Sequence, residues 1–288
     1  MNNVRVWISG SNGRVGQALS EYLNPLAETI ILTDIDTVDV TNAEETVLFA
    51  SRIRPNVIIN CSGYTNPVEC EENPDKAYAV NGLGARNMAI AASHVDAKLI
   101  HLSTDEVFDG GSDEPYREYV EPEPQTVYGQ SKLFGEQLVR QFNSRYFIIR
   151  MSYLYSPVNR RVERIIESAQ NNEPIYVAKN YYGSPTSVYE LAKFIIYLMR
   201  SYEFGTYHAT CEGVATYAEF AKEVLNLTGL QGEVIEDETI SSTNFRPQYT
   251  ALDNYMLHLS KLYKFPAWKT ALKDYLREHG YPLKGEAK

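Results

Sequence analysis

At 288 residues and 32.7 kDa, the chain is long enough to bury one large α/β core, or a large and a small one. With 44% hydrophobic and 22% charged residues, it is neither collagen-like nor disordered in composition. A formal net charge of −10 and a pI near 5.1 argue against nucleic acid or an anionic membrane surface as partner, because either requires a basic face.

The first half alternates β-rich runs with helical patterns. "VRVWISG" (4–10), "TIILTDI" (29–35), "NVIINCSG" (56–63), "AKLIHLSTD" (97–105) and "RYFIIRMSYLY" (145–155) read as strands. Several are nearly continuous apolar runs, as expected of a parallel sheet buried on both faces. Helices are predicted between them, over "RVGQALSEYL", "TNAEETVLFASRI", "NPDKAYAVNGLGARNMAIAASH" and "TVYGQSKLFGEQLVRQF". Thr41 with Glu44 offers a capping box for the second helix. This order predicts an α/β fold with a doubly wound, Rossmann-type parallel sheet. Helices near 160–170, 187–202, 216–228 and 267–279 follow, with short strands such as "PIYVA" and "TYHAT". A dinucleotide-binding domain over 1–155 and a smaller C-terminal α/β substrate lobe over 156–288 are expected, with some later segments free to return to the first domain. The acidic, Pro/Gly-rich stretch 109–124 reads equally as a solvated loop or, from its place just before the Tyr128 helix, as a mobile lid.

Directly after the first strand, "GSNGRVG" places Gly10, Asn12, Gly13, Arg14, Val15 and Gly16 at the opening of a helix. A pyrophosphate needs a tight turn, close backbone N–H groups and the positive end of a helix dipole, and this slot supplies all three. Asp34, with Ile35 beside it, ends the second strand 18 residues after Gly16. A carboxylate there accepts ribose hydroxyls and repels a 2′-phosphate, so NADH is favoured over NADPH. Cys61 and Ser62 end the third strand, on the same sheet edge.

The fourth strand ends at Ser103, Thr104 and Asp105, where ligands bind in open α/β sheets. Tyr128 and Lys132 follow, four residues apart on one helix face. The spacing alone proves little in a chain with 22 Tyr, and Tyr189/Lys193 repeats it without a Gly-rich turn or Ser/Thr strand end. A phenol titrates near 10, and a neighbouring lysine cation is expected to lower that value. Tyr128 then serves as the proton donor to a carbonyl, with Thr104 bonded to the same oxygen. The three cysteines lack C-x-x-C spacing and the five histidines are scattered, so neither a disulfide framework nor a metal site is expected. No signal peptide is read, and a cytoplasmic location is the default.

Together with "DVTN", "NCSGYTNPVECEENPDKAYAVN", "STDEVFDG", "VYGQSKLFGE", "GSPT" and "RPQYTALDN", these motifs resemble those of dTDP-4-dehydrorhamnose reductases, within the extended short-chain dehydrogenase/reductase superfamily. The resemblance covers most of the chain. It implies NAD(P)H-dependent reduction of a 4-keto nucleotide sugar, giving dTDP-L-rhamnose. Position by position, it puts the catalytic set on Thr104, Tyr128 and Lys132, and cofactor contacts on Asn12, Gly13, Val15, Asp39, Val40, Gly63, Tyr64 and Thr65. Substrate contacts fall on Thr104, Asp105 and Tyr153, and more loosely on Glu69 and Arg246; a homodimer is compatible with it. The chain departs from the family pattern at Glu106, where an aromatic residue is usual, and at Tyr153, where tryptophan is. Glu106 is therefore a candidate for a substrate hydroxyl or amino group. Arg160, Arg161 and Arg246 are candidates for the diphosphate, and for the first two a solvated helix start is the competing reading. Two alternatives remain: a cofactor-binding partner protein resembling the methionine adenosyltransferase regulatory subunit, and a nucleotide-sugar epimerase or dehydratase.

Overall fold

The computed structural model describes residues 4–23, 28–243 and 246–285. The first half runs β1 (Val4–Ser9), α1 (Arg14–Tyr22), β2 (Glu28–Thr33), α2 (Ala43–Ile53), β3 (Val57–Asn60), α3 (Pro67–Glu72), α4 (Pro74–Ala77), α5 (Ala85–His94), β4 (Lys98–Thr104), α6 (Val127–Phe142), β5 (Tyr146–Met151) and β6 (Leu154–Tyr155). The second half runs α7 (Arg161–Gln170), β7 (Ile175–Ala178), β8 (Tyr182–Gly183), β9 (Thr186–Ser187), α8 (Val188–Arg200), β10 (Gly205–His208), β11 (Ala215–Thr216), α9 (Tyr217–Thr228) and β12 (Val234–Asp237), then α10 (Glu238–Thr243), α11 (Tyr255–Ser260) and α12 (Trp268–Glu278).

The central sheet has six strands in the order β10-β5-β4-β3-β1-β2, all paired in parallel. Its strands are continuous apolar runs because both faces are covered. Val6, Ile8, Val57, Ile59, Ile100, Leu102, Phe147 and Ile149 enter one core, with helices α1, α8 and α12. Their neighbours Trp7, Ile58, Leu99 and Ile148 enter the other, with α2 and α5. Strand order reverses between β1 and β3, and such a switch point opens a crevice at the carboxyl ends of the strands.

Several local features differ from the sequence expectation. Asn42, not Thr41, caps α2: its side chain accepts from Glu45 N at 3.2 Å, while Thr41 Oγ1 donates to Asp39 Oδ1 at 2.8 Å. The fifth strand breaks at Ser152–Tyr153, where Tyr153 takes a positive φ of 42°. The helix expected over 73–94 contains a π-helical segment, Tyr78–Gly84, between α4 and α5. β10, from the second half, completes the edge of the main sheet against β5. Residues 109–124 are anchored, which does not suit a freely moving lid. Glu118 accepts from His208 N and Met256 N, Tyr116 N donates to Ala251 O, and Arg117 pairs with Asp253.

Candidate active site

The turn from β1 into α1 is shaped by glycine. Gly10 has φ +66°, and a Cβ there would lie 2.7 Å from both Cys61 C and Ser62 N, at the end of β3. A Cβ on Gly16 would lie 2.6 Å from Ser11 Cα. Gly13 is the N-cap of α1, with no side-chain cap, so the first-turn N–H groups face outward as donors.

These residues border a cavity of about 380 Å³ lined by Gly10, Asn12, Gly13, Asp34, Ile35, Val38–Thr41, Cys61–Tyr64, Lys76 and Val80. Asp34 stands at its rim and also braces the turn, accepting from Asn12 N at 3.0 Å and from its neighbour Ile35 N at 2.9 Å. The cavity's far wall is held by buried Asn81, from the π-helical segment. Its Oδ1 accepts from Tyr64 N at 2.8 Å, while its Nδ2 donates to Tyr64 O and to Ser131 Oγ on α6, both at 2.9 Å. Wide helical turns recur at functional sites, and here one ties the cofactor-side loop to the helix carrying Tyr128.

A second cavity follows, lined by Gly13, Arg14, Val15, Cys61–Gly63, Thr65, Leu102, Ser103, Tyr128, Lys132, Met151 and Leu154. Tyr128 sits in the first turn of α6, whose N-cap Thr126 accepts from Gly129 N at 3.0 Å. Lys132 is 4% exposed and donates to Leu102 O at 2.5 Å. Burial brings its pKa down to about 8, against the opposing charge of Glu136. Thr104 Oγ1 donates to Asp105 Oδ1 at 2.9 Å, and it lies close enough to the Tyr128 hydroxyl to oppose a rise in its pKa.

One electrostatic expectation is overturned. Burial first, and then the charge of Glu106, push the Tyr128 pKa above its ordinary value. The opposing influences are the Thr104 hydrogen bond and the cations Arg14 and Arg246; the ammonium of Lys132 is directed at the backbone of β4 instead. The phenol is consequently neutral, the protonation state a donor requires.

A third, smaller cavity lies beside this one and shares Arg14 and Leu154 with it. Asp105, Glu106, Tyr153, Arg161, Tyr181–Gly183, Tyr217, Arg246, Pro247 and Thr250 complete its lining. Arg246 Nε donates to Glu106 Oε1 at 2.9 Å. The two arginines at the start of α7 part ways. Arg160 is exposed and pairs with Glu167, whereas Arg161 stacks over Tyr153 at 4.4 Å and Tyr217 at 5.1 Å. Tyr153, Arg161 and Tyr217 also border a further cavity of about 570 Å³ reaching Arg164 and Tyr176.

The structure thus brings together most of the residues picked from sequence. Glu69 stands outside all three cavities: it is exposed on α3 and accepts from Asn66 Nδ2 at 2.9 Å. Tyr189 is a packing residue, hydrogen-bonded to His279 Nε2 at 3.2 Å, and Lys193 pairs with Glu190 at 2.6 Å. Tyr181, Tyr217 and Lys76 were missed by sequence reasoning: the two tyrosines lie outside the motifs, and Lys76 lies within one but has no spacing that marks it for a ligand.

The family model described as the RmlD substrate binding domain matches residues 4–280. The chain belongs to the dTDP-4-dehydrorhamnose reductase family. A family member from Bacillus anthracis, solved in complex with NADP, is 36% identical and superposes with a TM-score of 0.92, over 96% of this chain and 99% of that one. The dTDP-4-dehydrorhamnose reductase from Clostridium acetobutylicum is 35% identical, with a TM-score of 0.91 over the same shares. Among curated relatives, a dTDP-4-keto-6-deoxy-D-glucose reductase from Streptomyces niveus is 32% identical over 92% of this chain and 94% of its own length. The described residues contain no helix long and apolar enough to cross a membrane.

Proposed function

We propose that the protein uses NAD(P)H to reduce the 4-keto group of a dTDP-linked 6-deoxy sugar, with dTDP-4-dehydrorhamnose as substrate and dTDP-L-rhamnose as product. The observation that carries this reading is the continuity of the three cavities. A Gly-rich, uncapped helix start opens onto Tyr128 and Lys132, with Thr104 beside the phenol at the end of β4, and Arg14 links that space to a cavity walled by Arg161 and Arg246. The bound cofactor supplies the hydride.

The chain's own residues do the rest. The Thr104 hydroxyl turns from Asp105 to donate to the keto oxygen beside Tyr128, which passes its proton to that oxygen as negative charge develops there. The phenolate left behind is countered by the Thr104 hydroxyl and the guanidinium groups of Arg14 and Arg246, while the buried Lys132 cation, one helical turn away, holds the strand that carries Thr104. Arg161 and Arg246 meet the substrate diphosphate, which an otherwise acidic protein must neutralise locally. Asp34, placed at the adenosine end, favours NADH, because a 2′-phosphate would approach its carboxylate.

Consumption of NADH by dTDP-4-dehydrorhamnose, followed at the nicotinamide absorbance, tests the reaction. Tyr128→Phe is expected to keep cofactor binding and to lose turnover by about 10²–10⁴-fold; a fully active variant defeats the assignment. A clear kcat/KM advantage for NADPH over NADH would reject the role given to Asp34.

A further inference from the structure

Glu106 is a buried acid in a wall otherwise built of arginine and tyrosine. It lies in the tight turn Asp105–Val107 that follows β4 and is 2% exposed. Its backbone is fixed on both sides. Glu106 N donates to Thr104 Oγ1 at 3.3 Å, and its carbonyl packs so closely on Gly129 that a Cβ there would overlap it. The side chain is therefore aimed by the same two elements that carry Thr104 and Tyr128.

Its two oxygens are treated differently. Oε1 accepts from Arg246. Oε2 is buried and has no hydrogen-bond partner, a costly condition for a carboxylate oxygen that a bound ligand can relieve. Burial raises the carboxyl pKa to about 7 even with Arg246 attached, so the site pays for keeping this group. An apolar residue of similar size would carry no such cost.

The donor that completes Oε2 is defined by the surrounding charges. Arg14, Arg161 and Arg246 line the same cavity, and Asp105 is the other acid there. An ammonium on the ligand would meet three guanidinium groups, whereas a neutral hydroxyl would not. When the keto oxygen of a sugar ring is held by Thr104 and Tyr128, the nearest hydroxyl is on the ring carbon flanking the carbonyl.

We propose that Glu106 is a specificity-determining residue, whose free oxygen accepts a hydrogen bond from the hydroxyl flanking the keto carbon and so selects a hydroxylated sugar over its deoxy analogue. The inference rests on the keto-sugar reading above. Arg246 acts as the positioning partner, holding the other oxygen and partly offsetting the rise that burial gives the carboxyl pKa.

The test measures kcat/KM for dTDP-4-dehydrorhamnose and for its 3-deoxy analogue in the wild type, Glu106→Met and Glu106→Gln. The Kd values of dTDP-L-rhamnose and 3-deoxy-dTDP-L-rhamnose are measured in parallel. The wild type should prefer the hydroxylated sugar by on the order of 10²-fold or more, because a site built to bond a hydroxyl strongly rejects the ligand that lacks it. Glu106→Met should reduce the preference to a few-fold while retaining cofactor affinity, which reports an intact fold. Glu106→Gln, which keeps a polar head, should fall between. A Met variant with the wild-type preference in both turnover and binding overturns the proposal. Failure of the wild type to reduce any keto sugar would instead defeat the functional reading, and the pair of binding constants would still decide the role of Glu106.

Discussion

Glu136→Gln separates the electrostatics of Lys132 from its mere presence. Tyr128, Lys132, Glu136 and Arg140 recur every four residues along one face of α6. Glu136 is fully buried and accepts from Arg150 Nε at 2.9 Å, Arg150 Nη2 at 2.8 Å, Ser103 Oγ at 2.5 Å and Arg140 Nη2 at 2.8 Å. Burial alone would raise its pKa, but Arg150, with Arg140 and Ser103, outweighs that and holds it at about 2. The carboxylate is therefore charged throughout the working range and raises the pKa of Lys132, which burial has brought to about 8. Four residues of helix separate the two groups by about 6 Å along the axis. At an effective dielectric constant of about 20, their attraction is about 3 kcal/mol, or about 2 pH units. A reduction that needs the lysine cation loses activity as pH rises through its pKa. The alkaline limb of kcat/KM should accordingly lie near pH 8 in the wild type and move about 2 units down in the variant. The variant also leaves Arg150 buried without its counter-charge, a loss of about 3–5 kcal/mol, so the kinetics are run where urea titration and circular dichroism show a native fold. An alkaline limb that stays in place in the folded variant would refute the coupling.

Gly10→Ala should cost at least about 1–2 kcal/mol, from the left-handed backbone alone. Because its Cβ also meets β3, cofactor binding measured by fluorescence should fall more than stability does; a variant with unchanged cofactor affinity would contradict the cradle. Arg161→Ala should raise KM for the nucleotide sugar about tenfold or more with kcat nearly unchanged, the pattern of lost uniform binding, and steady-state kinetics in which only kcat falls would point elsewhere. Acid stability follows from three buried groups. His208 is held neutral, with its pKa pushed down to about 3 by burial and by Arg150, so its contribution is complete above pH 6.5 and lost as pH falls toward 3. Glu136 contributes fully above pH 4.5 and is lost toward pH 2, whereas Glu106, with its pKa raised to about 7, contributes below pH 4.5 and is lost as pH rises through 7. His208 and Glu106 thus oppose each other between pH 4.5 and 7, while His208 and Glu136 act together below. Urea midpoints should change little above pH 4.5 and drop steeply beneath it; a flat acid profile would count against the buried network.

What was legible in the sequence is what local chain geometry determines. The strands were visible because a sheet covered on both faces needs apolar residues at consecutive positions, as at Val57–Ile59 and Phe147–Ile149. Gly10 and Gly16 were visible because each excludes a Cβ within its own βαβ unit, and Tyr128 with Lys132 because i and i+4 share a helix face whatever the rest of the fold does. The features that escaped depend on contacts across the chain or on a choice between adjacent positions. Glu106 and Arg246 lie 140 residues apart, and their pairing requires the C-terminal segment to return over the turn after β4. Arg160 and Arg161 are indistinguishable by composition; the left-handed backbone of Arg160 at the start of α7 turns one to solvent while Tyr153 and Tyr217 receive the other. Even the polarity of the Tyr128 shift depended on such contacts. Helix spacing placed a cation near the phenol, but the strand backbone took its hydrogen bond, and burial, with an acid from the neighbouring turn adding to it, reversed the sign. Local pattern therefore locates the reacting groups, whereas their protonation is decided by the residues that tertiary packing brings beside them.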